Sequence, residues 1–315
     1  MAYASEFEYK ANTAPALGIK QMNLFLFLSA IFVSVIAQQL QKGPPPSERY
    51  RNLDLGGERK YFTEPPGSTI AQHYSSKYFH GIQKDDVRQT YLSDLMRAFA
   101  HVSEQEGWEY WIAHGTLLGW YWNAKIMPWD LDIDIQVSMQ QLEKMIPQNG
   151  SVWEINPVEL SPNTAAPSIR SFTLDINRYW NTRTGRLNVI DARFIDTSTG
   201  NFIDITALSD IDPKQPGKVR CKNNHVYEIS DIYPLQETEF EDMFVKIPRN
   251  YAKILNDEYP NGMESMLFHY HRFDSSCKLW YEESFYMHIS NNAGYHLVRL
   301  VVELMGMTRK LTWKN

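Results

Sequence analysis

From residue 85 onward, apolar side chains recur at helical spacing: Val87, Tyr91, Leu95, Phe99 and Val102, with Gly107 behind them. The pattern predicts an amphipathic helix that buries one stripe and stops where glycine tolerates a left-handed backbone. The period then changes. Residues 108–113 read as a strand, 115–123 as a turn and short helix, and 126–137 as a second strand. Ser138 stands where a helix N-cap belongs, ahead of Leu142, Met145 and Ile146. Residues 160–185 are polar and without a period. Strand patterns return at 187–195 and 202–208, on either side of the turn sequence Asp196-Thr-Ser-Thr-Gly200. Beyond Pro248 the chain reads as helical again, including an amphipathic stretch at 297–304 that carries Arg299 and Glu303. No internal repeat of solenoid length is visible.

The N-terminal part follows different rules. Residues 24–37 are apolar apart from two serines and contain no charge. That is short for a membrane span, which needs about 20 residues, and suits the core of a signal peptide. Val35 and Ala37 form a small-residue cleavage signature before Gln38, and Met22 directly precedes the run. Residues 1–40 are therefore expected to be a signal peptide or a signal anchor with a polar leader, with membrane anchoring through 24–40 as the second option. Either sends the rest into the secretory pathway. Residues 41–75, opening with Gly43-Pro-Pro-Pro46, read as a stalk or linker. The folded body is expected over 76–315.

Composition narrows the function classes. The chain of 315 residues has a net charge of −6 and no Lys/Arg-rich block, which argues against nucleic acid as a partner. Its two cysteines, Cys221 and Cys277, allow one disulfide at most and cannot alone supply a four-ligand zinc site. Nine Trp and eighteen Tyr suit stacking on sugars, although core packing explains them equally well. Asn149-Gly-Ser151 has the form of an N-glycosylation acceptor.

The chemistry concentrates in one segment, His114-Gly-Thr-Leu-Leu-Gly119 followed by Pro128-Trp-Asp-Leu-Asp-Ile-Asp-Ile-Gln-Val137. Strand alternation would place Asp130, Asp132 and Asp134 on one face and Leu131, Ile133 and Ile135 on the other. Three neighbouring carboxylates repel one another and call for cations; hard divalent ions such as Mg²⁺ or Mn²⁺ are the natural choice. An EF-hand is disfavoured, because counting from Asp130 puts Ile135 at the sixth loop position and Gln141 at the twelfth. The Gly115-Thr116 turn offers backbone N–H groups and a hydroxyl where a phosphate could sit.

Taken together, Gly-Thr-Leu-Leu-Gly and Pro-Trp-Asp-x-Asp-Ile-Asp resemble the LicD/fukutin family of phosphotransferases, a branch of the nucleotidyltransferase superfamily. Residues 188–206, 221–227, 240–248 and 255–259 are similar to fungal members associated with mannosylphosphate transfer, and the resemblance covers roughly 85–265. It implies an α/β (α+β) fold, a nucleotidyltransferase-like mixed sheet flanked by helices in a single catalytic domain.

The resemblance also implies roles. Asp132 and Asp134 are the expected metal pair, and Asp204 is the expected third carboxylate, doubling as the base for an acceptor hydroxyl. Asp191 and Asp196 compete for that third place, with pairing to Arg193 or capping of the turn as their plain alternatives. Asp130 is expected as an extra ligand or a supporting group. Gly115 and Thr116 would hold the donor phosphate, with Lys125 and Arg193 neutralising it and His114 either bonding a phosphate or packing. One of Trp120, Trp122 and Trp129 would stack on a base or sugar. The implied reaction is metal-dependent transfer of a phosphate-linked sugar or alcohol from a nucleoside diphosphate donor, GDP-mannose above all, to a glycan hydroxyl in the secretory pathway, with the protein in the Golgi lumen or membrane, or secreted. The alternative is a lumenal regulator or scaffold of a separate transferase.

Overall fold

Strand order and helix placement were read from a computed structural model, which describes residues 70–156, 169–181, 183, 189–211 and 217–283. The apolar run at 24–37, most of the stalk and the stretch at 297–304 lie outside the described residues. No helix among the described residues is long and apolar enough to cross a membrane.

The long helix forms where the apolar spacing places it. Helix α1, Asp85–Glu106, ends at Gly107, whose φ of 68° is the left-handed cap that glycine adopts without strain. Its buried stripe is Leu92, Leu95, Met96, Phe99 and Val102, while Val87 faces solvent. The next elements are β1 (Trp111–Ile112), α2 (His114–Asn123), β2 (Ile133–Ser138) and α3 (Met139–Met145). Ser138 caps α3 by accepting from the Gln141 amide at 3.2 Å. Then follow β3 (Val152–Ile155), β4 (Arg170–Ile176), β5 (Ala192–Asp196) and β6 (Phe202–Asp210). Strand β4 lies within the stretch that reads as irregular. Its alternation is real, with Phe172, Leu174 and Ile176 buried, but it is only seven residues long and flanked by polar segments.

The main sheet has the order β1-β2-β6-β5-β4-β3, extended from β6 through β7 (Lys218–Arg220) to β8 (Val226–Glu228). It is mixed: β2 and β6 run parallel, and the other pairs are antiparallel. Register sorts its two faces. Ile133, Ile203, Phe194 and Leu174 are successive partners across four strands and form an apolar row. Phe99 of α1 meets Phe194 edge-on at 5.3 Å, so the long helix covers this face. One residue along, Asp134, Asp204, Arg193 and Asp175 form a charged row on the opposite face. Because the side-chain period is two, burying one row commits the other to the far side.

The short helix α4 (Ile229–Ile232) precedes the hairpin β9–β10 (Gln236–Phe240 and Met243–Ile247), and α5 (Tyr251–Glu258) follows. The helical reading beyond Pro248 therefore holds for α5 and fails over residues 267–282. A three-stranded antiparallel sheet follows, β11 (Leu267–Phe268), β12 (His271–Asp274) and β13 (Leu279–Glu282). Phe273 and Trp280 are register partners there, and both rings pack on Trp122, at 4.7 and 5.0 Å. Cross-strand aromatic pairing outweighs the weak helical pattern. Cys221 and Cys277 are both buried and unpaired, so no disulfide joins them.

Candidate functional site

Helix α2 starts hard against β2. The Ala113 amide donates to the Asp134 carbonyl at 3.1 Å, and the Asp134 amide donates to the Thr116 hydroxyl at 2.9 Å. These two bonds place Gly115 over the carboxylates. A Cβ on Gly115 would lie 3.5 Å from one Asp130 oxygen and 3.9 Å from one Asp134 oxygen. Glycine thus leaves bare backbone beside the acidic groups, as expected of a phosphate-holding turn. The Thr116 hydroxyl, by contrast, is occupied by the strand backbone.

Only Asp134 of the acidic run lies within β2. Asp130 and Asp132 sit in the turn before it. That turn is held by Gln89 of α1, whose side-chain amide donates to the carbonyls of Met127, Pro128 and Asp130 at 3.1–3.3 Å. Asp132 accepts from His73 Nδ1 at 2.9 Å, so the domain begins before residue 76 and its first turn already touches the site.

Asp204 is directly opposite Asp134 across the parallel pair, and Arg193 is directly opposite Asp204 on the other side. Arg193 Nε donates to one Asp204 oxygen at 2.6 Å, and its Nη2 reaches the other at 3.4 Å. Its guanidinium also lies over the Phe202 ring at 3.8 Å. Two like charges in register would repel, and Arg193 offsets one of them. Burial still raises the Asp204 carboxyl. Arg193 opposes that most strongly and His73 weakly, Asp132 adds to it, and the result is about 6. Loss of water and the adjacent Asp132 charge push Asp130 up to about 8, against smaller lowering by the Leu131 amide and Arg88.

The competitors of Asp204 are accounted for elsewhere. Asp191, fully buried, binds Arg183 and Lys222 at 2.8 Å each and takes the Ala207 amide at 2.8 Å. Asp196 caps its turn through Ser198 and Thr199 and binds Arg170. Lys125 lies beyond the C-terminal end of α2, where the chain turns back at Ala124 and sets the Lys125 carbonyl against Gly119. It pairs with Asp242 and Glu241, which gives a local reason for its charge. Trp120 donates to Thr238, Trp122 donates to the Gly262 carbonyl, and Trp129 packs edge-on against Trp280.

Sequence reasoning missed a second polar cluster. Trp111 Nε1 donates to the Gln136 oxygen at 3.2 Å, which turns the Gln136 amide nitrogen towards His114 Nε2 and the Tyr227 hydroxyl, both at 3.3 Å. His114 Nδ1 then donates to Glu258 at 2.8 Å, and Tyr227 donates to the other Glu258 oxygen at 2.6 Å. Burial would raise Glu258, but His114, the Tyr227 hydroxyl and His225 outweigh it and hold the carboxyl below its ordinary range. His114, His225 and Glu258 bring ligand-capable atoms within 4.8 Å of one another, the group of three that does so among the described residues. The bonds from Trp111 and Gln136 assign His114 Nε2 as acceptor and Nδ1 as donor, a hydrogen-bonded arrangement complete without an ion. Its effect is on the backbone: His114 has φ 49°, an uncommon left-handed conformation for this residue, and it is the residue before Gly115.

Residues 107–250 match the model of the LicD/FKTN/FKRP nucleotidyltransferase domain. Over this stretch, somewhat under half of its length, the chain is similar to the LicD family. Two proteins of Saccharomyces cerevisiae are similar to it. Mannosyltransferase regulator 4 is 31% identical over 160 residues, which is 48% of this chain and 13% of that protein. Mannosyltransferase regulator 14 is 30% identical over 161 residues, again 48% of this chain and 17% of the relative. The chain thus spans under a fifth of either relative's length.

The LicD-family match contains Gly115, Thr116, the aspartates 130, 132, 134 and 204, and Arg193. His73, Arg88 and Glu258, which all bear on the site, fall outside it. The aspartates form a donor set of carboxylate oxygens alone, the chemistry that suits a hard divalent cation. Asp204 shares its oxygens with Arg193, and Asp132 shares one of its own with His73.

Proposed function

We propose that the chain transfers a phosphate-linked sugar or alcohol from a nucleoside diphosphate donor to a glycan hydroxyl in the secretory pathway, with mannose-1-phosphate from GDP-mannose as the favoured case. The observation that carries this reading is the register of Asp134 with Asp204 on parallel strands, beside the bare backbone of Gly115. Asp132 and Asp134, with Asp130 and Asp204 beside them, would hold Mg²⁺ or Mn²⁺, which offsets negative charge on phosphoryl oxygens. Gly115 leaves room for the donor phosphate. The acceptor oxygen attacks the sugar-bearing phosphorus in line; the new P–O bond forms as the bond to the bridging oxygen breaks, and the nucleoside monophosphate leaves with that oxygen. Asp204 takes the acceptor's proton, a role that its raised carboxyl suits. Arg193 fixes the Asp204 carboxylate from the β5 side.

The names of the yeast relatives favour a second reading, a lumenal regulator of a separate mannosyltransferase, and they also support a Golgi setting. One experiment separates the two. The chain is incubated with Mn²⁺, a mannan acceptor and GDP-mannose, or CDP-linked donors in parallel. Release of GMP or CMP with phosphodiester formation is the expected result. No nucleotide release from any donor, together with no Mn²⁺ binding, sinks the enzyme reading and leaves the regulator.

A further inference from the structure

Strands β11 and β12 are joined by two residues, His269 and Tyr270, with φ of 45° and 62°. A two-residue hairpin with both positions left-handed is the usual place of Asn-Gly, and bulky rings there are strained. The strained turn holds rings in solvent: Tyr270 is 83% exposed, and Phe268 just before it is 44% exposed. His271 Nδ1 donates to the His269 carbonyl at 2.7 Å, which fixes the turn. Strain kept at a surface position, with apolar area left in water, does nothing for stability and argues for a use.

The location supplies one. Trp129 packs on this hairpin, with ring centroids 5.6 Å from Phe268, 5.8 Å from His269 and 5.1 Å from His271, and its plane lies 14° from that of His269. The next residue in the chain is Asp130, whose carboxylate lies beside Gly115. Phe273 and Trp280 root the same sheet on Trp122 of α2. The exposed rings are therefore fastened to both parts of the acidic site, the turn before β2 and the helix that carries Gly115.

We propose that the His269-Tyr270 hairpin is the platform for the acceptor, an uncharged oligosaccharide whose sugar rings lie across Phe268 and Tyr270. The inference rests on the reading of the neighbouring site as a transferase site and says where its acceptor lies. Charge selects the acceptor over the donor. Residues 265–271 contain no Asp, Glu, Lys or Arg, whereas a nucleoside diphosphate is an anion that calls for cations. Shape agrees, because rings open to solvent suit a chain laid along them, while a nucleobase is held in a pocket that encloses it. A sugar presents an apolar C–H face edged with hydroxyls, which matches aromatic faces flanked by the Tyr270 hydroxyl and imidazole nitrogens. The hairpin lies beyond residue 250, where the LicD match ends.

The test uses the 315-residue chain with a manno-oligosaccharide as probe, and GDP with Mn²⁺ in parallel, read by calorimetry beside thermal melts and sedimentation. Tyr270→Gly should weaken oligosaccharide binding by about tenfold, the loss expected for one stacked ring. Its affinity for GDP should stay within about twofold of wild type, since the two ligands use separate groups. Its melting temperature should equal or exceed that of the wild type, because glycine adopts the left-handed turn without strain. Tyr270→Phe, which keeps the ring, should bind the oligosaccharide much as the wild type does. Unchanged oligosaccharide affinity in Tyr270→Gly overturns the inference. Equal weakening of GDP makes the hairpin a nucleobase platform and overturns it too. Self-association that Tyr270→Gly abolishes, with no oligosaccharide bound, makes the patch an interface between copies and likewise overturns it. If the wild type binds GDP with Mn²⁺ but no oligosaccharide, only the inference falls. If it binds the oligosaccharide through Tyr270 yet releases no nucleotide from any donor, the platform stands and the transferase reading falls.

Discussion

Asp134 on β2 and Asp204 on β6 are register partners across a parallel strand pair, 70 positions apart in sequence, and Arg193 on β5 is the antiparallel partner of Asp204. The sheet thus places two carboxylates side by side and a guanidinium next to them, on the face opposite α1. This row is the structural basis of the proposed chemistry.

Replacing Asp134 by Asn is expected to abolish Mn²⁺ binding while leaving the melting temperature at or above that of wild type, since one of two neighbouring like charges is gone. Asp204→Asn should reduce turnover by about 10²–10⁴, the range for loss of a positioned base. Nucleotide-release kinetics and metal titration check both. Full activity in Asp134→Asn would contradict the assignment.

Gly115 and Gly119 make opposite predictions although both lie in α2. A methyl group at Gly115 meets Asp130 and Asp134 oxygens at ordinary contact distances of 3.5–3.9 Å, so Gly115→Ala should keep or raise stability, by up to about 1 kcal/mol from helix propensity. It should nevertheless cut turnover by filling the space beside the carboxylates. At Gly119 the methyl group would lie 2.6 Å from the Lys125 carbonyl oxygen, so Gly119→Ala should destabilise the fold. Thermal melts beside donor assays distinguish the two.

The acidic groups set a pH dependence for the metal-free chain. Asp130 and Asp204 are raised from 3.8 to about 8 and about 6, so the folded state holds their protons to higher pH than the unfolded chain does. Their contribution to stability is fully present below about pH 4 and is lost as pH rises through about 6 and then 8. Melting temperatures measured in EDTA should fall across that window. Asp130→Asn should flatten the upper part, and Mn²⁺ should restore stability most at the alkaline end, with proton release on binding.

The cluster beneath the Gly115 turn should behave as a support. Glu258→Ala strips the acceptor from His114 and Tyr227 and should cost about 2–6 kcal/mol, at roughly 1–3 kcal/mol for each buried group left unmet. Glu258→Gln, which keeps the shape, should retain more stability yet alter turnover if the turn shifts. Chemical denaturation and steady-state kinetics report the two effects separately.

Asp191→Asn should destabilise by several kcal/mol, because Arg183 and Lys222 would be left facing a neutral group, without changing Mn²⁺ affinity. Equal loss of metal binding in Asp191→Asn and Asp204→Asn would reopen the choice between them.

Much of this architecture is written locally. The spacing of Leu95, Phe99 and Val102 with Gly107 defines α1, Ser138 caps α3, and alternation marks β5 and β6, because each depends on neighbours within one or two turns of chain. The Gly-Thr turn and the Asp run are equally local and pointed to the acidic site. Other features were not legible. Alternation suggested three aspartates on one strand, but the turn that Gln89 holds leaves Asp130 and Asp132 outside β2. The helical reading after residue 260 gave way to a sheet stabilised by Phe273 and Trp280 packing on Trp122.

Sequence alone determined which residue types were available for phosphate and metal chemistry, and it left Asp204, Asp191 and Asp196 competing for the place of third carboxylate. Only the tertiary structure decided their partners. It placed Arg193 on Asp204, Lys222 on Asp191, His73 on Asp132 and Glu258 beneath His114. The physical reason is that periodicity records which face a residue takes within its own element, whereas the identity of a charge's partner depends on strand register and on segments that meet from far along the chain.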